Sequence, residues 1–492
     1  MPPLEDAPAP GPAPGDVPFD AERFRREGRQ VVDWIADYLS TLADRPVQSR
    51  VEPGWVRAQL PAHAPERPEP LAAVLADLDR VIVPGLTHWQ HPGFFAFFPA
   101  GSGVPSILGE LLSAGLGVQG MLWITSPACT ELETLALDWL RELLALPARF
   151  ASTGPGGGVI HDSASSGLLT AVVAARERTL TGAPARTADI GRLVAYASTA
   201  AHSSVEKGVG IAGLGRAALR KIAVDARGAM DVAALGSAMA EDVRAGRIPC
   251  FVAATVGTTA TGAIDPVPAI AAEARRHAAW LHVDAAWAGA AALCPELRAA
   301  IVAGAEAADS WGFNPHKWLP VNLDCHALWV ADRRPLIQGL SMKPDYLRNA
   351  ATESGAVIDY ADWQIPLGRR FRALKLWMTL RMLGAEALRG RIRDHVAWAA
   401  WFADRVRSDP RFTLLAPPSL SLVCFGLQSG DATSAALLDR VNRRGRVCLS
   451  SATIGGRLAL RLAVGGTLTC RHAVETAWQE VAAAADAAFR DG

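Results

Sequence analysis

The hydrophobic positions change their spacing along the chain. Phe24, Val31, Ile35, Tyr38 and Leu42 recur at intervals of three, four and seven residues, with Arg and Asp between them. That period predicts a helix over about 20–43. Such a helix either packs on its own domain or forms an arm that packs on another subunit. A second helix is expected over Thr130–Leu146, with Ser126 and Pro127 before it and Glu131 and Glu133 in its first turn, where the helix dipole favours acids. Leu132, Leu135, Trp139, Leu143 and Leu144 supply its expected core face.

From about 150 to 330 the period gives way to short runs rich in Val, Ile and Ala: 193–196, 250–256 and 280–283. Runs of this kind read as strands buried on both faces, as in a parallel sheet, and their alternation with helical stretches implies an α/β fold. Ligands of open α/β sheets sit at the carboxyl ends of the strands, so polar residues just after these runs are the first candidates for a site. Beyond Leu374 a separate α+β region is expected, with strands near 420–427 and 458–464.

Val81–Gly109 and Leu111–Thr130 carry no Lys, Arg, Asp or Glu. Gly, Pro, Ser, Thr, His and Gln interrupt them, so they read as buried loops and core segments rather than membrane spans. Gly339–Gly355, with Lys343, Asp345, Arg348 and Glu353, is either a surface connection or a mobile lid that trypsin would cut first at Arg348. The first 18 residues are rich in Pro, Ala and Gly and have neither a basic start nor an apolar core. They read as a disordered leader, not a signal peptide.

Composition narrows the function. The 492 residues suit about three structural units, or one large enzyme fold with satellites. Lys+Arg and Asp+Glu are both 49, a balance that argues against a nucleic-acid binder. Seven scattered cysteines without a C-x-x-C pair suggest neither a disulfide framework nor a zinc site. Reduced thiols in the cytoplasm are the simpler reading.

Four segments carry candidate chemistry. Gly154, Gly156, Gly157 and Gly158 lead into Ser163, Ala164, Ser165 and a helical run. The pattern suits a phosphate held by helix amides and hydroxyls, or simply a turn with a capping serine. It fits neither a dinucleotide fingerprint, a P-loop nor a serine-hydrolase elbow. Asp284 closes an apolar strand, where a carboxylate needs a cationic or hydrogen-bonding partner. Lys317, between His316 and Trp318, reads either as a desolvated amine suited to imine formation or as a lysine reaching the surface. His202 follows a strand. Together the four supply a phosphate anchor, a ring platform, a carboxylate and an amine, the set an enzyme of pyridoxal 5′-phosphate requires.

The stretches HPGFFAFFPAGS, GGGVIHDSASSG, AHSSVEK, LHVDAAWAG, FNPHKWLPVNLDC and WQIPLGRRFR resemble the group II pyridoxal-phosphate-dependent amino-acid decarboxylases, in particular the aromatic-L-amino-acid decarboxylases. The resemblance runs, more loosely, from about residue 20 to 480. It implies a fold type I α/β architecture: an N-terminal helical dimerisation segment (19–85), a large cofactor domain with a mainly parallel sheet (86–375) and a smaller α+β C-terminal domain (376–492). It implies a cytoplasmic homodimer with shared active sites and an amino-acid substrate, and it turns the first helix into an arm that embraces the partner.

By the same resemblance Lys317 would form the Schiff base, Asp284 would pair with the pyridine nitrogen and His202 would stack on the ring. Ser163, Ala164, Ser165, Asn314 and His316 would hold the phosphate, with Thr259 and Ala286 lining the cofactor. Tyr346 would take part in protonating Cα and favours simple decarboxylation, since relatives that make aldehydes by oxidative deamination often carry Phe there. Aldehyde synthesis on the same scaffold is the alternative. Phe97, Phe98 and Pro99 would line the substrate pocket, Gln119 and Met121 would reach across from the other subunit, and Gly368 would accompany indole substrates. The resemblance therefore leans towards tryptophan, with dopa, phenylalanine and tyrosine as alternatives. A cofactor-free scaffold and a serine hydrolase are the readings from other classes.

Overall fold

The computed structural model describes residues 19–181, 190–342 and 350–490. The chain divides into two units, Met1–His88 and Trp89–Gly492. In the first, Asp20 caps the helix Ala21–Ser40 by accepting from the Arg23 amide. This helix buries none of its residues, and Phe24, Val31 and Val32 are exposed.

The second unit is built on a seven-stranded sheet. Its strands are β1 (Gly157–His161), β2 (Leu193–Ser198), β3 (Leu219–Ile222), β4 (Ile248–Thr255), β5 (Trp280–Asp284), β6 (Ser310–Phe313) and β7 (His326–Val330), in the order β1-β7-β6-β5-β4-β2-β3. From β6 to β3 every pairing is parallel. β7 runs antiparallel to both of its neighbours, because only the one-turn helix Pro315–Trp318 and a loop lead into it; a parallel neighbour needs a longer crossover.

Every residue of β1, β2, β5, β6 and β7 is buried. Alternate residues serve two cores: Val252, Ala254, Leu281 and Val283 on one face, Phe251, Ala253 and Trp280 on the other with the helix Ala164–Leu180. Period-two alternation then sets the polar side chains. His282 and Asp284 share the face of Trp280, and His161 and His326 share the face of Val159 and Leu328. His161, Asp284 and His326 thus share one face at the end of the sheet where β1, β5 and β6 finish and β7 begins, with His282 two residues before the end of β5.

A smaller antiparallel sheet, β10-β11-β9-β8, is formed by β8 (Phe412–Leu414), β9 (Leu422–Leu427), β10 (Ser450–Ile454) and β11 (Arg457–Ala463). The helices Arg372–Ser408, Asp431–Arg444 and Arg471–Arg490 pack against it or one another. Six cysteines are buried, Cys470 is exposed, and all seven are free thiols. Among the described residues no helix is long and apolar enough to cross a membrane.

Two expectations need correction. The helix Pro127–Leu143 turns Glu133, Ala136, Leu137 and Leu140 inward, while Leu135 and Trp139 are exposed. Glu133 takes the inner stripe because it has buried partners: the Arg369 guanidinium at 2.7 Å and the Ile160 amide at 2.8 Å. The charge-free segments are also not wholly buried. The helix Val104–Leu116 buries only Pro105, Ser106 and Gly109, while Leu111, Leu112 and Leu116 are 52%, 51% and 58% exposed. Gly109 is its point of closest approach, since a Cβ there would come 2.6 Å from the Lys375 backbone. In the 339–355 segment, Arg334–Leu340 and Ala350–Glu353 are helical. Lys343, Asp345, Tyr346 and Arg348 lie outside the described residues.

Candidate active site

The carboxyl ends of β5 and β6 supply the central groups. Asp284 ends β5, and its Oδ1 accepts from the Ala286 amide at 3.0 Å. No described residue takes its Oδ2. Asn314 follows β6, tied to the Ala286 carbonyl through its amide at 3.0 Å. The helix Pro315–Trp318 then places Lys317. Desolvation holds the Lys317 ammonium below its ordinary range, opposed by the Asp284 charge. Its Nζ lies 5.6 Å from the centroid of the Phe98 ring.

His202 follows β2, and its Nδ1 accepts from the Ser204 amide at 3.1 Å. Burial lowers its pKa, with Asp284 raising and Lys317 lowering it. Electrostatic coupling therefore joins His202, Asp284 and Lys317 into one group. His316 Nδ1 accepts from the Cys325 amide at 2.9 Å, and burial beside Lys317 pushes the ring's pKa down to about 4.

Ser163 caps the helix Ala164–Leu180 by accepting from the Ser166 amide at 3.3 Å. The capping-serine reading is correct, and the cap leaves earlier first-turn amides available. The amides of Ala164 and Ser165 have no partner within the helix, as first-turn amides do not, and the helix dipole favours an anion there.

The expected substrate residues fall into two sets. Phe98 is buried and stacks on Trp287 with centroids 4.4 Å apart, while Phe97 is exposed. Pro99 packs against Gly465. Phe97 and Thr259 share the wall of a cleft of about 820 Å³ with Thr199, Ser450 and Arg461. Gln119, Met121 and Gly368 belong to neighbouring segments: the Arg369 amide donates to Gln119 Oε1 at 2.6 Å, and the Ala361 amide to the Met121 carbonyl at 2.9 Å. A Cβ on Gly368 would come 3.2 Å from Gln119 Nε2.

Arg461 escaped the sequence reading. It lies on β11, is 3% exposed, and holds its guanidinium 5.2 Å from the centroid of the same Phe98 ring. Nε donates to the Ala260 carbonyl at 3.1 Å and Nη1 to Ser450 Oγ at 3.0 Å, but Nη2 is buried without a partner. No carboxylate pairs with it among the described residues. The sequence signal was an arginine inside the apolar run Leu458–Val464.

A family model described as "Pyridoxal-dependent decarboxylase conserved domain" matches residues 53–428. The chain is 44% identical to a phenylacetaldehyde synthase of Arabidopsis thaliana, over 94% of this chain and 96% of that one. It is 43% identical to tryptophan decarboxylase 2 of Oryza sativa subsp. japonica, over 94% of each. Among solved structures, Oryza sativa TDC with PLP and tryptamine superposes with a TM-score of 0.93 at 40% identity, covering 96% of this chain and 99% of that one.

Proposed function

The chain belongs to the pyridoxal-dependent decarboxylases, a fold type I family of carboxy-lyases that use pyridoxal 5′-phosphate, and from that membership we propose that it decarboxylates an aromatic L-amino acid to the amine and carbon dioxide. The observation that carries the reading is the placement of Asp284 at the end of β5, Lys317 just after β6 and His202 just after β2, all at the carboxyl ends of parallel strands of one sheet.

The residues present fit the cofactor. The free amides of Ala164 and Ser165, the Ser163 end of the helix, Asn314 and His316 suit its phosphate. The open Asp284 Oδ2 suits a pyridine N–H, His202 offers a ring to stack on it, and Thr259 and Ala286 line the same place. Lys317 is the amine that would hold it covalently; desolvation favours the uncharged form that such a bond needs. Bound there, pyridoxal phosphate supplies a sink for the electrons released as the carboxylate leaves.

The protein's own groups do the rest. Asp284 keeps its partner nitrogen protonated. Because His202 Nδ1 accepts from the Ser204 amide, its Nε2 carries the proton of the neutral ring. Arg461 Nη2, buried and unpartnered, is placed to receive the substrate carboxylate. Phe97, Phe98 and Pro99 meet the aromatic side chain. The Tyr346 hydroxyl, on the segment outside the described residues, is assigned the proton that replaces carbon dioxide at Cα.

The functional unit is a homodimer with shared sites. The apolar residues left exposed on Ala21–Ser40 and Val104–Leu116 support it, and Gln119, Met121 and Gly368 would serve the partner's site. Gly368 leaves room for an indole, which favours tryptophan over dopa, tyrosine and phenylalanine. Free thiols throughout suit the cytoplasm.

Turnover of the PLP-loaded protein on these amino acids, with amine, carbon dioxide, ammonia and peroxide followed together, tests the proposal. Equal amine and carbon dioxide without peroxide, fastest on tryptophan, is expected. Peroxide and ammonia with little amine would assign aldehyde synthesis instead.

A further inference from the structure

Beneath the site lies a buried imidazole that the proposed chemistry does not use. His326 opens β7 and is 1% exposed. Its ring occupies space that two glycines leave. A Cβ on Gly167, in the first turn of the phosphate-anchoring helix, would overlap Nε2, and a Cβ on Gly312 of β6 would come 3.0 Å from Cε1. On its other side, Nδ1 is hydrogen-bonded to Asn314 Oδ1.

With Asn314 Oδ1 turned to the ring, the bond requires one tautomer. An amide oxygen only accepts, so Nδ1 must carry the proton. Nε2 is buried and has no partner, so a second proton there would have no acceptor, and the ring is neutral. Burial among neighbouring histidines depresses its basicity in the same direction. With Oδ1 turned to the ring, Asn314 must turn its Nδ2 hydrogens elsewhere. No described residue takes them, and the amino end of the helix Ala164–Leu180 lies across the width of the imidazole.

We propose that His326 is a positioning residue for the cofactor phosphate: its Nδ1–H fixes the Asn314 amide so that Nδ2, not Oδ1, meets the phosphate oxygens. This rests on the reading that Asn314 holds the phosphate. A freely turning amide would present its oxygen to the anion part of the time, replacing attraction by repulsion. Gly167 and Gly312 belong to the same device, since each lacks the side chain that would exclude the ring.

Affinities of the apoenzyme for pyridoxal phosphate and for pyridoxal, which lacks the phosphate, test this. His326→Leu removes the donor while filling the space. It should raise the Kd for pyridoxal phosphate about tenfold or more, the factor for one hydrogen bond to a charged group, and change the Kd for pyridoxal less than about twofold. His326→Asn carries an N–H at the position of Nδ1 and should restore most of the loss. In an Asn314→Ala background, His326→Leu should cost nothing further.

Equal weakening for both aldehydes by His326→Leu would show general packing damage and overturn the proposal, while the reading of Asn314 would stand. If Asn314→Ala leaves the ratio of the two affinities unchanged, the phosphate reading fails and the proposal with it. The ratio is internal to each folded preparation; where the leucine variant does not fold, His326→Ala carries the same expectations.

Discussion

Two apolar regions of this molecule meet opposite fates. The stretch through β4 and its following turn, CFVAATVGTTATGA, is buried along the strand and ends in the wall of the cleft. The helix Val104–Leu116 has one charge, Glu110, paired with Lys375, and turns Leu111, Leu112 and Leu116 outward. The difference lies in what each has to cover it. A strand between β2 and β5 has neighbours on both edges and helices on both faces. The outward helix has only the narrow stripe around Gly109, where it meets the helix Arg372–Ser408. A hydrophobic pattern states that surface is to leave water; it does not state which partner covers it.

If the sheet that holds the first region is the chemical floor and the second region an interface, damage should separate. Lys317→Ala has the largest expected effect. Turnover should fall at least about 10³-fold, because the amine nucleophile is gone, while the solution mass stays that of the wild type. Retained turnover would end the assignment of Lys317. Leu112→Glu should do the reverse first. A charge in a buried interface costs several kcal/mol, so sedimentation should show a shift towards monomer, with activity falling only as the dimer is lost. An unchanged mass at micromolar concentration would mean that this face is not the interface.

The floor was largely legible in the sequence and the outward face was not. Strand-end polar residues, a glycine-rich turn and a lysine in an apolar setting each carry a local signal, and β2, β4 and β5 fall where the apolar runs lie. Three features could not be placed from the spacing along one segment. Arg461 joins the site from the second sheet, through Phe98. Glu133 was read as a first-turn acid favoured by the helix dipole, yet it is a buried partner of Arg369 from another segment. The helix Pro127–Leu143 is apolar on two sides, and periodicity alone could not choose between them once the inner stripe contained a carboxylate. Each case depends on a pairing between distant segments, which spacing along one segment does not encode.

The smallest expected effect sharpens the comparison from the side of the floor, which buries four neighbouring histidines. Desolvation holds His161 at about 3 and His282 and His316 at about 4, and lowers His326 well below its usual range. An unfolded histidine titrates near 6.5. Above that value neither state binds the proton and the stability is fully present. As pH falls below about 6.5 the unfolded chain takes up protons that the folded floor refuses, so stability is lost progressively towards pH 4. The urea midpoint should be flat from pH 8 to 7 and fall from 6.5 downwards. His161→Gln, outside the proposed cofactor contacts, removes one of these protons and should reduce the slope by up to about 1.4 kcal/mol per pH unit. An unchanged slope would mean that His161 accepts its proton in the folded state, and that this end of the floor is wetter than its burial implies.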